Sequence, residues 1–142
     1  MDDARPPVDD QPPDSRVPRA AFQRATALGR ITMQPETARR VAANAVAKGD
    51  VIGAARFAGV QAAKAAHDYL PITDSILVAS VTIAVDVGDD FVDVRTQVES
   101  SNGPAAIPAI TAATVALLTV YDMCKSADRT MAIGPVSLLE PD

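Results

Sequence analysis

Two side chains that could carry proton chemistry stand three residues apart near the end of an alanine-rich stretch, Asp122 and Lys125. A helix is predicted to begin near Pro104, and residues three apart on a helix lie side by side. The apolar residues of the stretch recur at helical spacing and share one face: Ile107, Ile110, Thr114, Leu117 and Tyr121. The acid and base could form a surface ion pair worth about 0–1 kcal/mol. Because the preceding helix is largely apolar, we favour a pocket.

Three further residues have types that chemistry uses. Lys48 precedes a helix break at Gly49, where it could neutralise the carbonyl end of a helix or reach into a pocket. Cys124 has no histidine near it in sequence, which favours a small buried residue over a nucleophile. His67 is predicted to be a solvated helix residue. One histidine does not make a usual metal site, so we predict neither a metal nor a cofactor.

Composition narrows the function classes. The net charge of -5 argues against nucleic-acid binding, which usually requires a basic domain. The first residues are acidic and proline-rich, with no sign of a targeting or membrane-spanning segment. A single cysteine excludes an internal disulfide and favours a reduced, cytoplasmic setting. The apolar fraction is 48% but only 4% is aromatic, so the core must be built from small and aliphatic side chains.

The chain is predicted to contain one domain after a short arm. Residues 1–19 carry five prolines among charged residues, and this composition predicts a disordered arm. Residues 20–142 are long enough to bury a core of their own. We expect them to form a single α+β domain.

Local patterns predict seven elements in the order β, α, α, β, β, α, β. Loose alternation marks a first strand over 20–33. Pro35 suits the start of a helix that runs to Ala47, and Asp50 is expected to cap a second helix over 51–69. Gly53 and Gly59 inside that helix suggest a packing reason.

The second half of the pattern supplies the remaining strands. A hairpin is predicted from strands 76–87 and 91–98 with turn residues between them. The long helix from Pro104 comes next, followed by a strand over 130–139 that Pro135 interrupts and places at an edge. This order predicts a ferredoxin-like antiparallel sheet covered by helices on one face.

Several blocks resemble the cyclic pyranopterin monophosphate synthases, the MoaC family of molybdenum cofactor biosynthesis. The resemblance extends from about Ala20 to Glu140. Its strongest blocks are Lys48-Gly49-Asp50-Val51-Ile52, Ala55-Arg56-Phe57-Ala58-Gly59-Val60-Gln61-Ala62-Ala63-Lys64, Leu117 to Lys125, and Ile133-Gly134-Pro135-Val136-Ser137-Leu138-Leu139. It implies conversion of a cyclised GTP derivative to cyclic pyranopterin monophosphate with loss of pyrophosphate. It also implies a homohexamer, a trimer of dimers, with active sites at dimer interfaces.

The family's functional residues carry over only in part. Lys48, Asp122 and Lys125 match its two lysines and its aspartate. Asp74 stands where the resemblance expects a histidine, and Ala106 and Pro108 stand where it expects two glutamates. The glycine-, serine- and lysine-rich tail of the family is also missing. Positioned acids and bases typically contribute 10²–10⁴-fold each, so these losses predict little or none of the family reaction.

Three hypotheses therefore stand side by side. The first is a diverged enzyme that applies lyase- or cyclase-type acid–base chemistry to a related small molecule, with the family reaction lost. The second is cyclic pyranopterin monophosphate synthase itself. The third is a non-catalytic structural or partner-binding homologue. The retained lysines and aspartate favour the first over the third.

If Lys48 and Lys125 converge, each ammonium makes the other easier to deprotonate. Lys48 would then bind or protonate the substrate, Lys125 would transfer the proton and Asp122 would orient Lys125, with Asp74 as a second acid at the rim. Arg24, Arg30, Arg39 and Arg40 could be solvated or could bind ligand phosphate. The alanine- and glycine-rich faces of residues 51–69 and 105–118 are expected to be buried between the subunits of a hexamer, or at least of a dimer.

Overall fold

The computed structural model describes residues 22–71 and 75–139. Its elements in chain order are β1 (Gln23–Thr32), α1 (Pro35–Ala42), α2 (Val51–Lys64), β2 (Val78–Val87), β3 (Phe91–Ser100), α3 (Ala106–Cys124) and β4 (Ala132–Leu139). A single 3₁₀ turn over Ala66–Asp68 follows α2. The arm predicted for residues 1–19 lies outside the described residues. The predicted order of elements is confirmed.

The four strands form one antiparallel sheet in the order β2-β3-β1-β4. The hairpin of β2 and β3 is present where the sequence predicts it, closed by a hydrogen bond from the Gly88 N–H to the Phe91 carbonyl. Side chains of β3 alternate between a buried face with Val92, Val94 and Val98 and an exposed face. Helices α2 and α3 cover the buried face, which confirms the ferredoxin-like α+β fold.

Two helices end earlier than the sequence predicts. Helix α1 ends at Ala42 rather than Ala47, because Asn44 takes a left-handed φ of 54° that a right-handed helix cannot continue through. Helix α2 ends at Lys64 rather than at residue 69, and only the 3₁₀ turn follows it. The predicted cap is confirmed, since the Asp50 carboxylate accepts a hydrogen bond from the Gly53 N–H at 3.0 Å.

The long helix α3 begins at Ala106, two residues after the predicted start at Pro104. Pro108 lies inside its first turn, and the sequence suggests that it biases Ile107 away from helical angles. Ile107 is nevertheless helical. Pro108 is tolerated because the first N–H groups of a helix have no partner within the helix, so the missing proline donor costs no hydrogen bond.

Helix α3 packs against both the sheet and α2, and glycines allow both approaches. A Cβ at Gly29 in β1 would lie 2.7 Å from the Leu117 Cδ1. A Cβ at Gly59 in α2 would lie 2.5 Å from the Ile83 Cδ1 and 3.1 Å from the Ala112 carbonyl oxygen. The Leu117 and Ile83 methyl groups end flexible side chains and could move aside, whereas the Ala112 carbonyl belongs to the backbone, so the case for glycine is stronger at Gly59. The packing reason expected for Gly59 is therefore confirmed.

The small side chains of α2 and α3 face each other within one chain. The buried ones are Ala55, Gly59, Ala62 and Ala63 of α2 and Ala109, Ala112, Ala113 and Ala116 of α3. This corrects the expectation that the alanine- and glycine-rich faces are reserved for a second subunit. Close packing of one helix on the other uses them instead, and the oligomer itself stays a prediction.

A different face of α3 remains open. Ile107 and Tyr121, which the periodicity places on one stripe with Leu117, are 37% and 39% exposed, whereas Leu117 is fully buried. Within the described residues α3 is the one helix long and apolar enough to cross a membrane, with a mean hydropathy of 1.6. Its contacts with the sheet and α2 account for that composition, because it is the central helix of the core.

Strand β4 lies at one edge of the sheet, as Pro135 predicts. Its register against β1 shifts between Gly29 and Ile31, which pair with Val136 and Ile133. The interval holds one more residue on β4 than on β1, and Gly134 there has a left-handed φ of 130°. The predicted interruption of the last strand is thus a bulge.

The contact at Gly59 makes a testable prediction about stability. Gly59→Val forces α2 away from Ala112 and displaces Ile83, and we expect the free energy of unfolding to fall by about 2–3 kcal/mol. The matched control is Gln61→Val, the same residue at an exposed position of the same helix, which should change it by less than about 0.5 kcal/mol. Urea unfolding measures both. Equal values for the two variants would contradict the close approach.

Candidate functional site

The three residues that match the family motif come together within one chain. The Lys48 Nζ donates a hydrogen bond of 3.3 Å to the Asp122 carbonyl oxygen. The Lys125 Nζ lies 2.5 Å from the Asp122 Oδ1. We call Lys48, Asp122 and Lys125 the lysine–aspartate cluster. Its members come from the α1–α2 loop and from the end of α3, so folding alone joins them.

The end of α3 explains why Lys48 is held there. The last four carbonyl groups of a helix receive no hydrogen bond from N–H groups of the same helix, and this end carries partial negative charge. Lys48 satisfies one of these carbonyls. The sequence offers neutralisation of the preceding helix as one role for Lys48, and the structure shows that role on α3 instead. Gly49, with a left-handed φ of 125°, turns the chain between Lys48 and the cap of α2.

The cluster carries two cations and one anion. The hydrogen bond from Lys125 and its charge, together with the charge of Lys48, hold the pKa of Asp122 below its ordinary value. Asp122 therefore stays ionised and can orient the Lys125 ammonium. Residues 22–71 and 75–139 do not form the pocket favoured from the sequence, because the side chains of Asp122 and Lys125 are 60% and 51% exposed among them.

The positions at the start of α3 lie far from this cluster. Sixteen residues separate Ala106 from Asp122 along one helix, a distance of about 24 Å at 1.5 Å per residue. A small-molecule site cannot use both ends of α3 of the same chain. Asp74, the fourth residue predicted for the site, lies outside the described residues.

The four arginines considered as phosphate ligands all have carboxylate partners. Arg24 and Arg30 on β1 bond to Glu99 and Asp93 across the strand pair, at 2.5 Å and 2.7 Å. On α1, Arg39 and Arg40 lie 4.0 Å and 3.3 Å from the Glu36 carboxylate. None of these four belongs to the lysine–aspartate cluster.

Cys124 and His67 take the plain roles that the sequence favours. Cys124 is 1% exposed, and burial, followed by the nearby charge of Asp128, raises the pKa of its thiol. The thiol is thus kept protonated and unreactive. His67 is exposed beside Asp68, 3.3 Å from its carboxylate. In the part of the chain that the structure describes, no three His, Cys, Asp or Glu side chains are grouped closely enough to hold a metal ion.

Sequence reasoning missed Asp128, the most strongly bonded carboxylate of the described residues. Its two oxygens accept hydrogen bonds from the Gln34 N–H at 2.8 Å, the Thr37 hydroxyl at 2.7 Å, and the Thr130 N–H and hydroxyl at 2.8 and 2.7 Å. The spacing of Asp128 and Thr130 is a turn signal, and it could have predicted the two hydrogen bonds from Thr130. Asp128 ties the loop after the lysine–aspartate cluster to the start of α1.

Burial and hydrogen bonding shift the pKa of Asp128 in opposite directions. Burial by itself would raise the pKa, but the hydrogen bonds from Thr130, Gln34 and Thr37 favour the charged form more strongly and lower it to about 2. The carboxylate is therefore ionised at neutral pH. Its charge stabilises the fold at the position where the chain leaves the cluster.

The sheet order and the lysine–aspartate cluster together define a class of protein. This is a ferredoxin-like α+β protein with a cation-rich, solvent-facing site at the end of its central helix. The model of the MoaC family matches residues 17–142. The chain belongs to the MoaC family.

Proteins named cyclic pyranopterin monophosphate synthase are similar over most of the chain. The one from Roseiflexus sp. (strain RS-1) is 40% identical over 121 residues, which cover 83% of this chain and 77% of the relative. The one from Methylobacterium nodulans is 39% identical over 136 residues, or 94% and 81%. The one from Magnetococcus marinus is 42% identical over 120 residues, or 82% and 73%.

The bonding of Asp128 predicts how stability depends on it and on pH. Asp128→Asn replaces an acceptor oxygen by an amide that faces donors, and we expect the free energy of unfolding at pH 7 to fall by about 2 kcal/mol. The control Asp68→Asn removes an exposed carboxylate and should have little effect. Thermal and urea unfolding measure both.

The pH dependence of the unfolding free energy tests the same assignment. The pKa of Asp128 is about 2 in the folded state and about 3.9 in an unfolded chain. A lowered pKa stabilises the fold above the unfolded value, and this contribution is lost as pH falls from about 4 towards about 2. The gap between wild type and Asp128→Asn should therefore narrow over that range. A gap that stays constant down to pH 2 would contradict the assignment.

Proposed function

We propose that this protein is a cyclic pyranopterin monophosphate synthase and that the lysine–aspartate cluster is part of its active site. The observation that carries the proposal is that Lys48 and Lys125 both form hydrogen bonds with Asp122. Lys48 lies 74 residues from Asp122 along the chain, so only the fold brings it there. Identity of about 40% to proteins of that name supports it. Molybdenum cofactor biosynthesis in a cytoplasmic setting belongs to the same proposal.

The chemistry fits a site with two ammonium groups and one carboxylate. A triphosphate becomes a cyclic monophosphate with loss of pyrophosphate when a hydroxyl oxygen of the same molecule attacks the α-phosphorus. One P–O bond forms, the P–O bond to the pyrophosphate breaks, and the hydroxyl proton must go to a base. Negative charge grows on the departing pyrophosphate, where a cation stabilises it.

Each member of the cluster then has a role. Lys48 binds the anionic substrate and gives charge or a proton to the leaving pyrophosphate. Asp122 orients the Lys125 ammonium through their 2.5 Å contact, and Lys125 takes the hydroxyl proton after it has released one of its own protons to solvent. Both amines are exposed in the single chain, so a substrate can reach them without a change in the fold.

A second subunit completes the site in this proposal. The cluster is open, and the start of α3, which holds Ala106 and Pro108, lies about 24 Å from it in the same chain. Large apolar side chains on the outer faces of α2 and α3 remain exposed, among them Phe57 at 66% and Leu118 at 53%. A hexamer built from dimers buries such residues and brings the other end of α3 to the cluster.

A diverged reaction on a related small molecule is the second candidate. One observation favours it: Ala106 and Pro108 have no carboxylate at the positions where the family resemblance expects two glutamates. The relatives that match most of the chain bear the synthase name, and this supports the ordinary reaction more than its loss. The two candidates predict different molybdoenzyme activity when the chain is expressed in a strain that lacks the synthase.

The catalytic roles predict the effect of single substitutions. Lys48→Ala and Lys125→Ala should each lower kcat on the cyclised GTP derivative by about 100-fold or more, with the fold intact. Lys64→Ala removes an exposed lysine at the end of α2 and should leave kcat unchanged. Release of pyrophosphate is the measurement. Normal turnover in both cluster variants would contradict the proposed site.

Complementation of a strain that lacks the synthase separates the two candidates. We expect the wild-type chain to restore molybdoenzyme activity and the Lys125→Ala chain not to restore it. Failure of a well-expressed wild-type chain would favour the diverged reaction.

The assembly can be tested without substrate. Light scattering of the full chain should give a hexamer, or at least a dimer, at micromolar concentration. Leu118→Glu places a charge on the open face of α3 and should reduce the assembly state without lowering secondary structure content. A monomeric wild-type protein would remove the basis for a site shared between subunits.

A further inference from the structure

Asp128 is a buried carboxylate to which the proposed reaction gives no role. It is 4% exposed, and within residues 22–71 and 75–139 no other acidic side chain is buried. Burying a charge is costly unless hydrogen bonds compensate it. The bonds from Thr130 belong to a local turn, which could form equally well at the surface. What burial adds is the contact of Asp128 with α1.

Asp128 joins the end of α3 to the start of α1. Its own N–H donates to the Cys124 carbonyl at 3.2 Å, which closes α3. Its Oδ2 accepts from the Gln34 N–H and the Thr37 hydroxyl, at 2.8 and 2.7 Å. The Gln34 side chain does not cap α1 itself. Asp128 takes the place that an acidic side chain at the third helical position has in a capping box, and it does so from another part of the chain.

The chain from α1 to Lys48 is short and internally bonded. Helix α1 ends six residues before Lys48. Two backbone hydrogen bonds tighten the interval, from the Ala45 N–H to the Arg40 carbonyl at 2.8 Å and from the Gly49 N–H to the Val46 carbonyl at 3.0 Å. A shift of α1 relative to α3 is therefore passed on to Lys48.

We propose that Asp128 is a positioning residue for the lysine–aspartate cluster, because it holds α1 against the end of α3 and so sets where Lys48 stands. Asp122 and Lys125 keep their contact whatever α1 does, since both belong to the end of α3. Lys48 reaches them through one hydrogen bond of 3.3 Å, a length at which a small shift breaks it. The catalytic consequence rests on the proposed function, whereas the position of Lys48 does not.

The position of Lys48 can be measured without substrate. The hydrogen bond and charge of Lys125, and then the charge of Lys48, hold the pKa of Asp122 below its ordinary value. A carboxyl ¹³C NMR titration of the full chain reports that pKa. Lys48→Ala gives the upward shift expected when the second charge is lost completely. Asp128→Asn should shift the pKa of Asp122 in the same direction.

Thr37→Val cuts the link to α1 while Asp128 stays in place, so it also covers the case in which Asp128→Asn does not fold. It should raise the pKa of Asp122 as well. The matched control is Thr96→Val, which removes another buried threonine hydroxyl with a 2.7 Å hydrogen bond, here to the Ala109 carbonyl. Thr96→Val weakens the fold away from α1 and should leave the pKa of Asp122 unchanged.

Turnover supplies the second measurement. Thr37→Val should lower kcat/KM for the cyclised GTP derivative at least about fivefold, because a misplaced group loses much of its effect. In the Lys48→Ala chain the same substitution should cause no further loss, since the residue that it displaces is gone. A merely structural role would lower both chains equally.

The proposal is overturned if the pKa of Asp122 in Thr37→Val equals that of the wild type, or if Thr96→Val shifts it as much. It is also overturned if Thr37→Val costs the Lys48→Ala chain as much turnover as it costs the wild type. A wild-type chain that releases no pyrophosphate contradicts the proposed function instead, because the comparison of pKa values uses no substrate.

Discussion

The close packing of α3 against the sheet and against α2 is the constraint on which the rest of the structure depends. Gly29 and Gly59 remove the side chains that would hold these layers apart, and alanines fill the thin space that remains. An interior built in this way gains its stability from many small contacts at high packing density. It also fixes the rotation of α3, and so decides which residues at its C-terminal end face the solvent.

That rotation positions the lysine–aspartate cluster. With Leu117, Val120 and Cys124 buried, Asp122 and Lys125 must point outwards, and the carbonyl end of the helix is presented to Lys48. The buried carboxylate of Asp128 then holds the next loop against α1. A cluster of exposed polar side chains is thus supported by a rigid core on one side and a saturated hydrogen-bond network on the other, as precise positioning of functional groups requires.

Charged side chains lie near both ends of α3, but the two groups differ in composition. The lysine–aspartate cluster at the end of α3 combines two ammonium groups with one carboxylate, whereas Arg24, Arg95, Leu138 and Leu139 line a groove near its start. Helix α3 separates them by most of its length. Because one chain cannot bring its two helix ends together, an assembly would determine whether the two regions serve one ligand or two.

The sequence by itself determined the elements and their order, the hairpin, the interrupted edge strand, the cap at Asp50 and the pairing of Asp122 with Lys125. These depend on periodicity and on residues a few positions apart, which a sequence displays directly. Helix ends were less certain, since the left-handed turn at Asn44 overrides a continuous alanine pattern. Only the tertiary structure decided that Lys48 reaches the end of α3, that Asp128 joins Gln34 and Thr37, and that the small residues of α2 meet α3 of the same chain. Those contacts join residues between about 50 and 95 positions apart, and they depend on how packed layers orient side chains, for which a sequence has no local pattern.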